Sequence, residues 1–134
     1  MMDRFPEDAF AGRRVLVTGG TSGIGAAAAR AFLAAGASVT VGGVGEAALA
    51  AAGEAEGLAD AEPLLLDVRD GERVAEAVPA LGILDCVVNA AGVINRGAEH
   101  MPDVFAETVD VNLVGAMRVS AAARPLLAET GGSI

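Results

Sequence analysis

Short apolar runs alternate along this chain with longer stretches in which apolar positions recur every three or four residues. Runs that are short, continuous and apolar read as strands buried on both faces, and the longer period reads as helices packed against them. Arg14 to Thr18 forms the first strand of this reading. Gly23 to Ala35 follows as a helix, closed by Gly36, a residue suited to the left-handed conformation at a helix end. Ser38 to Gly42 is strand 2, and the Ala/Glu-rich stretch Glu46 to Gly57 is a helix. Glu62 to Val68 is strand 3, with Leu64, Leu65 and Leu66 in one run. Asp70 to Leu81 is a helix shortened or bent near Pro79, because proline lacks the N–H a helix interior needs. Leu84 to Asn89 is strand 4, and a long helix runs from Pro102 or Asp103 to Glu129, ended by Gly131 and Gly132.

This alternation predicts an α/β fold, a doubly wound parallel sheet with right-handed crossovers. The last residues, Ser133 and Ile134, read as the start of a fifth strand in a sheet ordered 3-2-1-4-5. The sheet is thus expected to be truncated before or at that strand, leaving the Val87–Val88 edge open to pairing with another chain. The long helix carries Val104, Val109, Val111, Leu113, Val114, Met117, Val119, Leu126 and Leu127 on more than one side. A helix apolar all round is normally buried all round, so further chain or a partner subunit is expected to cover it.

With 134 residues and no visible linker or repeat, the sequence reads as one small domain over 1–134, or part of a larger one. Its hydrophobic fraction of 53% is high, yet no run approaches the roughly 18 apolar residues of a membrane span. The charged N-terminus, Met1 to Asp8, lacks the apolar core of a signal peptide, so a soluble, cytoplasmic protein is expected, with no membrane partner. A net charge of −9 argues against a nucleic-acid partner. The single cysteine, Cys86, reads as core, and the lone His100 has no companions for a metal site, so no metal is expected.

The chemistry concentrates where the first strand meets the first helix. Thr18-Gly19-Gly20-Thr21-Ser22-Gly23-Ile24-Gly25 is a glycine-rich turn between them, the context in which free backbone N–H groups at a helix N-terminus receive a dinucleotide pyrophosphate. Gly19 permits the sharp turn, and Gly23 and Gly25 let phosphate and the neighbouring strand come close. Thr21 and Ser22 offer hydroxyl groups to phosphate or ribose. Gly19→Val is expected to abolish binding by filling the space of the pyrophosphate turn. The alternative is an ordinary strand-to-helix turn. Asp67, at a strand end, either accepts from an adenine amino group or caps the helix that starts near Asp70. Asn89, Ala90, Ala91 and Gly92 follow strand 4 into the same crevice, where small residues admit a ribose or simply pack closely. Asn112, amid apolar neighbours, either lies on the helix surface or has a hydrogen-bonding partner. Arg96 and His100 read as polar residues of a surface loop, with a border of the substrate pocket as the alternative.

Taken together these segments resemble the short-chain dehydrogenase/reductase family, over nearly the whole chain from Ala11 to Ile134. Thr18-Gly19 to Gly23-Ile24-Gly25 resembles the family's T-G-x-x-x-G-I-G turn, and Leu66-Asp67-Val68 its adenine-contacting step. Asn89-Ala90-Ala91-Gly92 resembles N-N-A-G with one alanine substituted, Asp110-Val111-Asn112-Leu113 the segment with the catalytic asparagine, and Gly131 to Ile134 the entry to the strand that ends at the catalytic serine. The resemblance implies a Rossmann-like fold and an NAD(P)-dependent oxidoreductase. It implies hydride transfer between the nicotinamide and a small-molecule alcohol or ketone substrate, and a homo-oligomer. It assigns cofactor contacts to Gly19, Thr21, Ser22, Gly23, Ile24, Gly25, Asp67, Val68, Asn89, Ala90, Ala91 and Gly92, and to Asn112 a catalytic role holding a water in a proton relay.

Besides the alanine at 90, the chain departs from the family in its catalytic set. Members use a serine, then a tyrosine with a lysine four positions later, whereas this sequence has no tyrosine and its nine basic residues are all arginine. The 134 residues alone are therefore expected to catalyse nothing. An alternative is a noncatalytic nucleotide-binding fragment that associates with another chain. After strand 2 stand Val41-Gly42-Gly43-Val44-Gly45, with neither the acid that selects NAD nor an arginine for the phosphate of NADP. The acidic balance favours NAD over NADP.

Overall fold

The computed structural model describes residues 5–134, so the reading of Met1 to Arg4 lies outside the described residues. Four strands, β1 (Arg14–Thr18), β2 (Ser38–Gly43), β3 (Glu62–Leu65) and β4 (Cys86–Asn89), form one parallel sheet in the order β3-β2-β1-β4. Helices α1 (Gly23–Ala34), α2 (Glu46–Glu54) and α3 (Gly71–Ala77) alternate with them, and α4 (Pro102–Val109) and α5 (Gly115–Thr130) follow β4. This is the Rossmann-like α/β fold expected from the pattern. Ser133 adds a single parallel bridge to Cys86, on the edge of β4 where a fifth strand was expected.

Strand alternation sends side chains to two cores. Val15, Val17, Val39 and Val41 pack with Ala26, Ala29, Leu49 and Leu58 on the α1/α2 face. Leu16 and Val87 pack with Val74, Val119, Ala123 and Leu127 on the α3/α5 face. Fully burying one such valine or leucine contributes about 1.5–3 kcal/mol. Alanines at 26 and 29 leave α1 room to lie close to the sheet.

Element ends depart from the sequence reading for local reasons. Helix α1 stops where expected: Gly36 takes φ +88°, its N–H bonds Leu33 O, and Ala37 N–H bonds Phe32 O at 3.0 Å, which satisfies the last carbonyls. Helix α2 ends at Glu54, three residues short of Gly57. Helix α3 begins at Gly71, capped by Asp70, whose carboxylate accepts from Arg73 N at 3.0 Å, and ends at Ala77 because Pro79 cannot continue it; a 3-10 turn, Pro79–Leu81, follows. Strand β4 begins at Cys86 rather than Leu84.

Strand β3 also stops early, at Leu65, and Leu66 to Val68 leave the ladder. It is an edge strand, so its leucine run is not buried on both faces: Leu65 is exposed and Leu66 turns into the core. Pro63, without an N–H, is tolerated for the same reason. The Arg73 guanidinium lies 3.4 Å from Leu65 O and covers part of that edge.

The long helix is interrupted. Asp110–Val114 form a wider π-type turn between α4 and α5. Nor is it buried all round. Val111, Gly115, Val119, Ala123 and Leu127 face the core, while Phe105, Leu113 and Met117 remain exposed.

Candidate functional site

The sheet's register sets where the site lies. Thr18 pairs with Gly42 on one side and with Asn89 on the other, so β1, β2 and β4 end at one level. From β1 the chain moves outward through β2 and β3, then crosses to β4 on the other side of β1. Such a reversal opens a crevice at the carboxyl ends of the strands. The turn after β1 and the segment after β4 form its two walls.

The two walls touch through backbone. Gly19 has φ +61°, and a Cβ there would stand 2.6 Å from Ala91 Cα and 2.7 Å from Ala90 O. Valine at 19 would therefore strike the chain after β4 first, not the pyrophosphate space that the sequence reading invoked. A Cβ on Gly25 would collide with Gly19 O. Gly23, at φ +53°, has open space where its Cβ would be, on the solvent side of the turn. Ser22 is the residue before α1, and its hydroxyl caps nothing. The first bond of the helix runs from Ala26 N–H to Ser22 O. The N–H groups of Gly23, Ile24 and Gly25 precede that bond and carry the positive end of the helix dipole. Ile24 is 85% exposed, with its side chain in solvent.

The wall after β4 is held from three sides. Ala91 N–H donates to the buried Thr18 Oγ1 at 3.3 Å. Asn89 Nδ2 donates to Ser120 Oγ at 3.0 Å, and Asn89 Oδ1 is buried with no partner among the described residues. Asn112 clamps Val93: its Oδ1 accepts from Val93 N at 2.7 Å and its Nδ2 donates to Val93 O at 2.9 Å. A Cβ on Gly92 would come 3.3 Å from Asn112 Oδ1. Both readings left open for Asn112 hold: its side chain is exposed on the helical surface and hydrogen-bonds the Val93 backbone. The π-type turn sets it opposite Val93, a placement the helical period gave no sign of.

At the third corner Asp67 is not the cap of α3, since Asp70 fills that role. Its carboxylate accepts from Arg69 N at 2.9 Å, from Arg69 Nε at 3.1 and 3.2 Å, and from Arg69 Nη2 at 2.8 Å. The hydrogen-bonded Arg69 guanidinium holds the Asp67 carboxyl below the usual aspartate range. Arg69 Nη1 also reaches Glu107 on α4 at 3.2 Å. Val68 is buried beneath Gly115, and its carbonyl accepts from Arg118 Nη1 at 3.2 Å, while Arg118 pairs with Asp110 at 2.8 Å. Sequence reading missed Arg69, Arg118 and Ser120. A hint for the first is its position two after Asp67, the spacing of an aspartate turn. Arg96 and His100 lie in the loop between β4 and α4.

Thus Gly19, Thr21, Ser22, Gly23, Ile24 and Gly25 lie in the turn after β1, Asn89, Ala90, Ala91 and Gly92 in the segment after β4 that touches it, Asp67 and Val68 in the segment after β3, and Asn112 backs the segment after β4. The geometry fits a dinucleotide: uncommitted amides, a free hydroxyl and open space stand together at a helix N-terminus.

A parallel sheet that reverses beside its first strand, with a glycine turn opening the helix there, defines a Rossmann-like α/β protein. The chain belongs to the short chain dehydrogenase family, whose model matches residues 13–134. It is 37% identical over 138 residues to a 2,5-dichloro-2,5-cyclohexadiene-1,4-diol dehydrogenase, LinX, of Sphingobium indicum, covering 92% of this chain and 53% of that one. It is 34% identical to the L-fucose dehydrogenase of Rattus norvegicus, covering 93% and 48%. Among solved structures, the citronellol catabolism dehydrogenase AtuB of Pseudomonas aeruginosa superposes with a TM-score of 0.86 at 30% identity, over 99% of this chain and 59% of that one. The chain spans about half the length of the curated relatives it matches.

Proposed function

We propose that this chain is the dinucleotide-binding part of an NAD(P)-dependent oxidoreductase that moves hydride between nicotinamide and an alcohol or ketone. The observation that carries the reading is the turn from Gly19 to Gly25, with the uncommitted Ser22 hydroxyl and the open space at Gly23. Pyrophosphate is received by the first amides of α1, and Asp67 accepts from the adenine amino group. Asn112 fixes the Val93 backbone and so the wall that borders the ribose. NAD is favoured over NADP, because Val41 to Gly45 bring no cation to the end of β2 and Asp67, Arg69 and Glu107 together carry net negative charge.

The bound group supplies the hydride. The proton at the substrate oxygen is a separate requirement, and a positioned acid contributes about 10²–10⁴-fold. Without tyrosine or lysine the 134 residues are expected to show no ketone-dependent NADH or NADPH oxidation above background. Calorimetry with NAD and NADP, alongside that assay, tests both halves. Binding of NAD without turnover is the expected result; failure of both nucleotides to bind removes the reading, and clear turnover requires an acid elsewhere.

A second reading is a noncatalytic nucleotide-binding fragment that associates with another chain. The exposed Phe105, Leu113 and Met117 on α4, the π turn and α5 favour association, with a further copy in a homo-oligomer or with a different chain. Light scattering tests association, and a monomer with a cooperative melt would count against both forms. A cytoplasmic setting fits the acidic balance, and no helix among the described residues is long and apolar enough to cross a membrane.

A further inference from the structure

We infer that Arg69 is a specificity-determining residue that competes with a purine amino group for the Asp67 carboxylate. The inference rests on the dinucleotide reading above and concerns only its adenine end.

The geometry carries the argument. A carboxylate offers about four acceptor positions on its two oxygens. At Asp67, Oδ1 already accepts from Arg69 N and Nε, and Oδ2 accepts from Arg69 Nε and Nη2. The guanidinium supplies two of these N–H groups, Nε shared between both oxygens and Nη2, and the third is the Arg69 backbone amide; the cation thus occupies part of the acceptor capacity assigned to the base and neutralises the charge that makes the carboxylate a strong acceptor. Both oxygens lie in a fork, the strongest arrangement an arginine and a carboxylate can adopt. Glu107 gives Arg69 a second anchor, 3.2 Å from Nη1, so the guanidinium can shift toward α4 and release Asp67 without losing all its partners. The Asp67 and Arg69 side chains are 34% and 45% exposed, so a ligand can reach the pair.

The consequence is a purine choice set by two residues rather than one. Asp67 alone favours a base with an amino group at position 6 over one with a carbonyl oxygen, since a carboxylate and a carbonyl are both acceptors. Arg69 weakens that preference by occupying the acceptors, and its N–H groups are donors that tolerate a carbonyl oxygen. Removing the guanidinium should tighten binding of the amino-bearing base alone.

The test uses the full chain, with calorimetric titration of adenosine 5′-monophosphate and inosine 5′-monophosphate, which differ at position 6. Arg69→Gln is expected to raise adenosine monophosphate affinity about threefold to tenfold, the scale of releasing a partly exposed, forked ion pair, and to leave inosine monophosphate unchanged or weaker. Arg69→Lys, which keeps the charge but cannot fork, should move the same way by less, and it covers the case in which the glutamine variant fails to fold. A general electrostatic role gives the opposite sign, because loss of a cation weakens both anionic ligands together. An unchanged or reduced adenosine monophosphate affinity, or an equal rise for both nucleotides, overturns the inference while leaving the dinucleotide reading standing. Absence of NAD and nucleotide binding in every variant overturns that reading, and this inference with it.

Discussion

Gly19 and Gly23 both stand at positive φ in one turn, yet substitution at each should fail in a different way. Alanine at 19 combines the strain of a left-handed residue with a Cβ set 2.6 Å from the Ala91 backbone. Neither backbone can yield without moving β1 or the chain after β4. Gly19→Ala should cost about 3 kcal/mol or more, read as a lowered urea midpoint. Alanine at 23 meets nothing within 4 Å. It should cost about 1–2 kcal/mol from backbone strain alone, and keep the fold. Its methyl would nonetheless stand beside the first amides of α1, so NAD affinity measured by calorimetry should drop at least about fivefold, a loss of about 1 kcal/mol. Equal stability losses in the two variants would contradict this division of labour. Asn112→Ala strips both partners from Val93 and should cost about 1–2 kcal/mol in the same melts, since two hydrogen bonds are lost.

Between elements, α5 passes close over the segment that follows β3. A Cβ on Gly115 would sit 2.5 Å from Val68 Cγ2. Gly115→Ala should destabilise the chain by about 1–3 kcal/mol despite alanine's better helix propensity, and Val68→Ala in the same chain should recover part of that loss. A denaturant double-mutant cycle reads the coupling directly. The strand and helix order was legible in the sequence because short apolar runs, glycine helix ends and the proline at 79 are local signals. The glycine turn was legible for the same reason. The break in the long helix was not. Val111, Gly115, Val119, Ala123 and Leu127 keep an even four-residue spacing across its end, so the pattern reads as one continuous helix. Leu65 was misjudged because continuity of an apolar run says nothing about which strand lies at an edge. The Asp67–Arg69 pair was missed because Asp67 was weighed without the arginine two positions on.

Across the whole molecule, the amino ends of β1 and β4 are pinned by one carboxylate. Asp85 accepts from Arg14 N at 2.8 Å and pairs with Arg13 at 3.1 Å, and its carbonyl accepts from Ser133 N at 3.0 Å. The Arg14 amide, then the Arg13 guanidinium, hold its carboxyl below the usual range. A depressed folded pKa means that the charged form stabilises the fold. That contribution is complete above the unfolded aspartate value of about 3.9 and is lost as pH falls through the folded value. Stability from urea titrations should therefore decline below about pH 4, and Asp85→Asn should lower stability at pH 7 while flattening that decline. The same pinning has a consequence during synthesis. Arg14 and Asp85 are 71 positions apart, and β1 lies between β2 and β4. At about 5–20 residues per second, β1 waits several seconds for the second of its neighbours to emerge from the ribosome. Through that interval Val15, Leu16 and Val17 stand on a half-paired strand, so chaperone capture of nascent chains should peak after β2 appears and fall once β4 is free to dock.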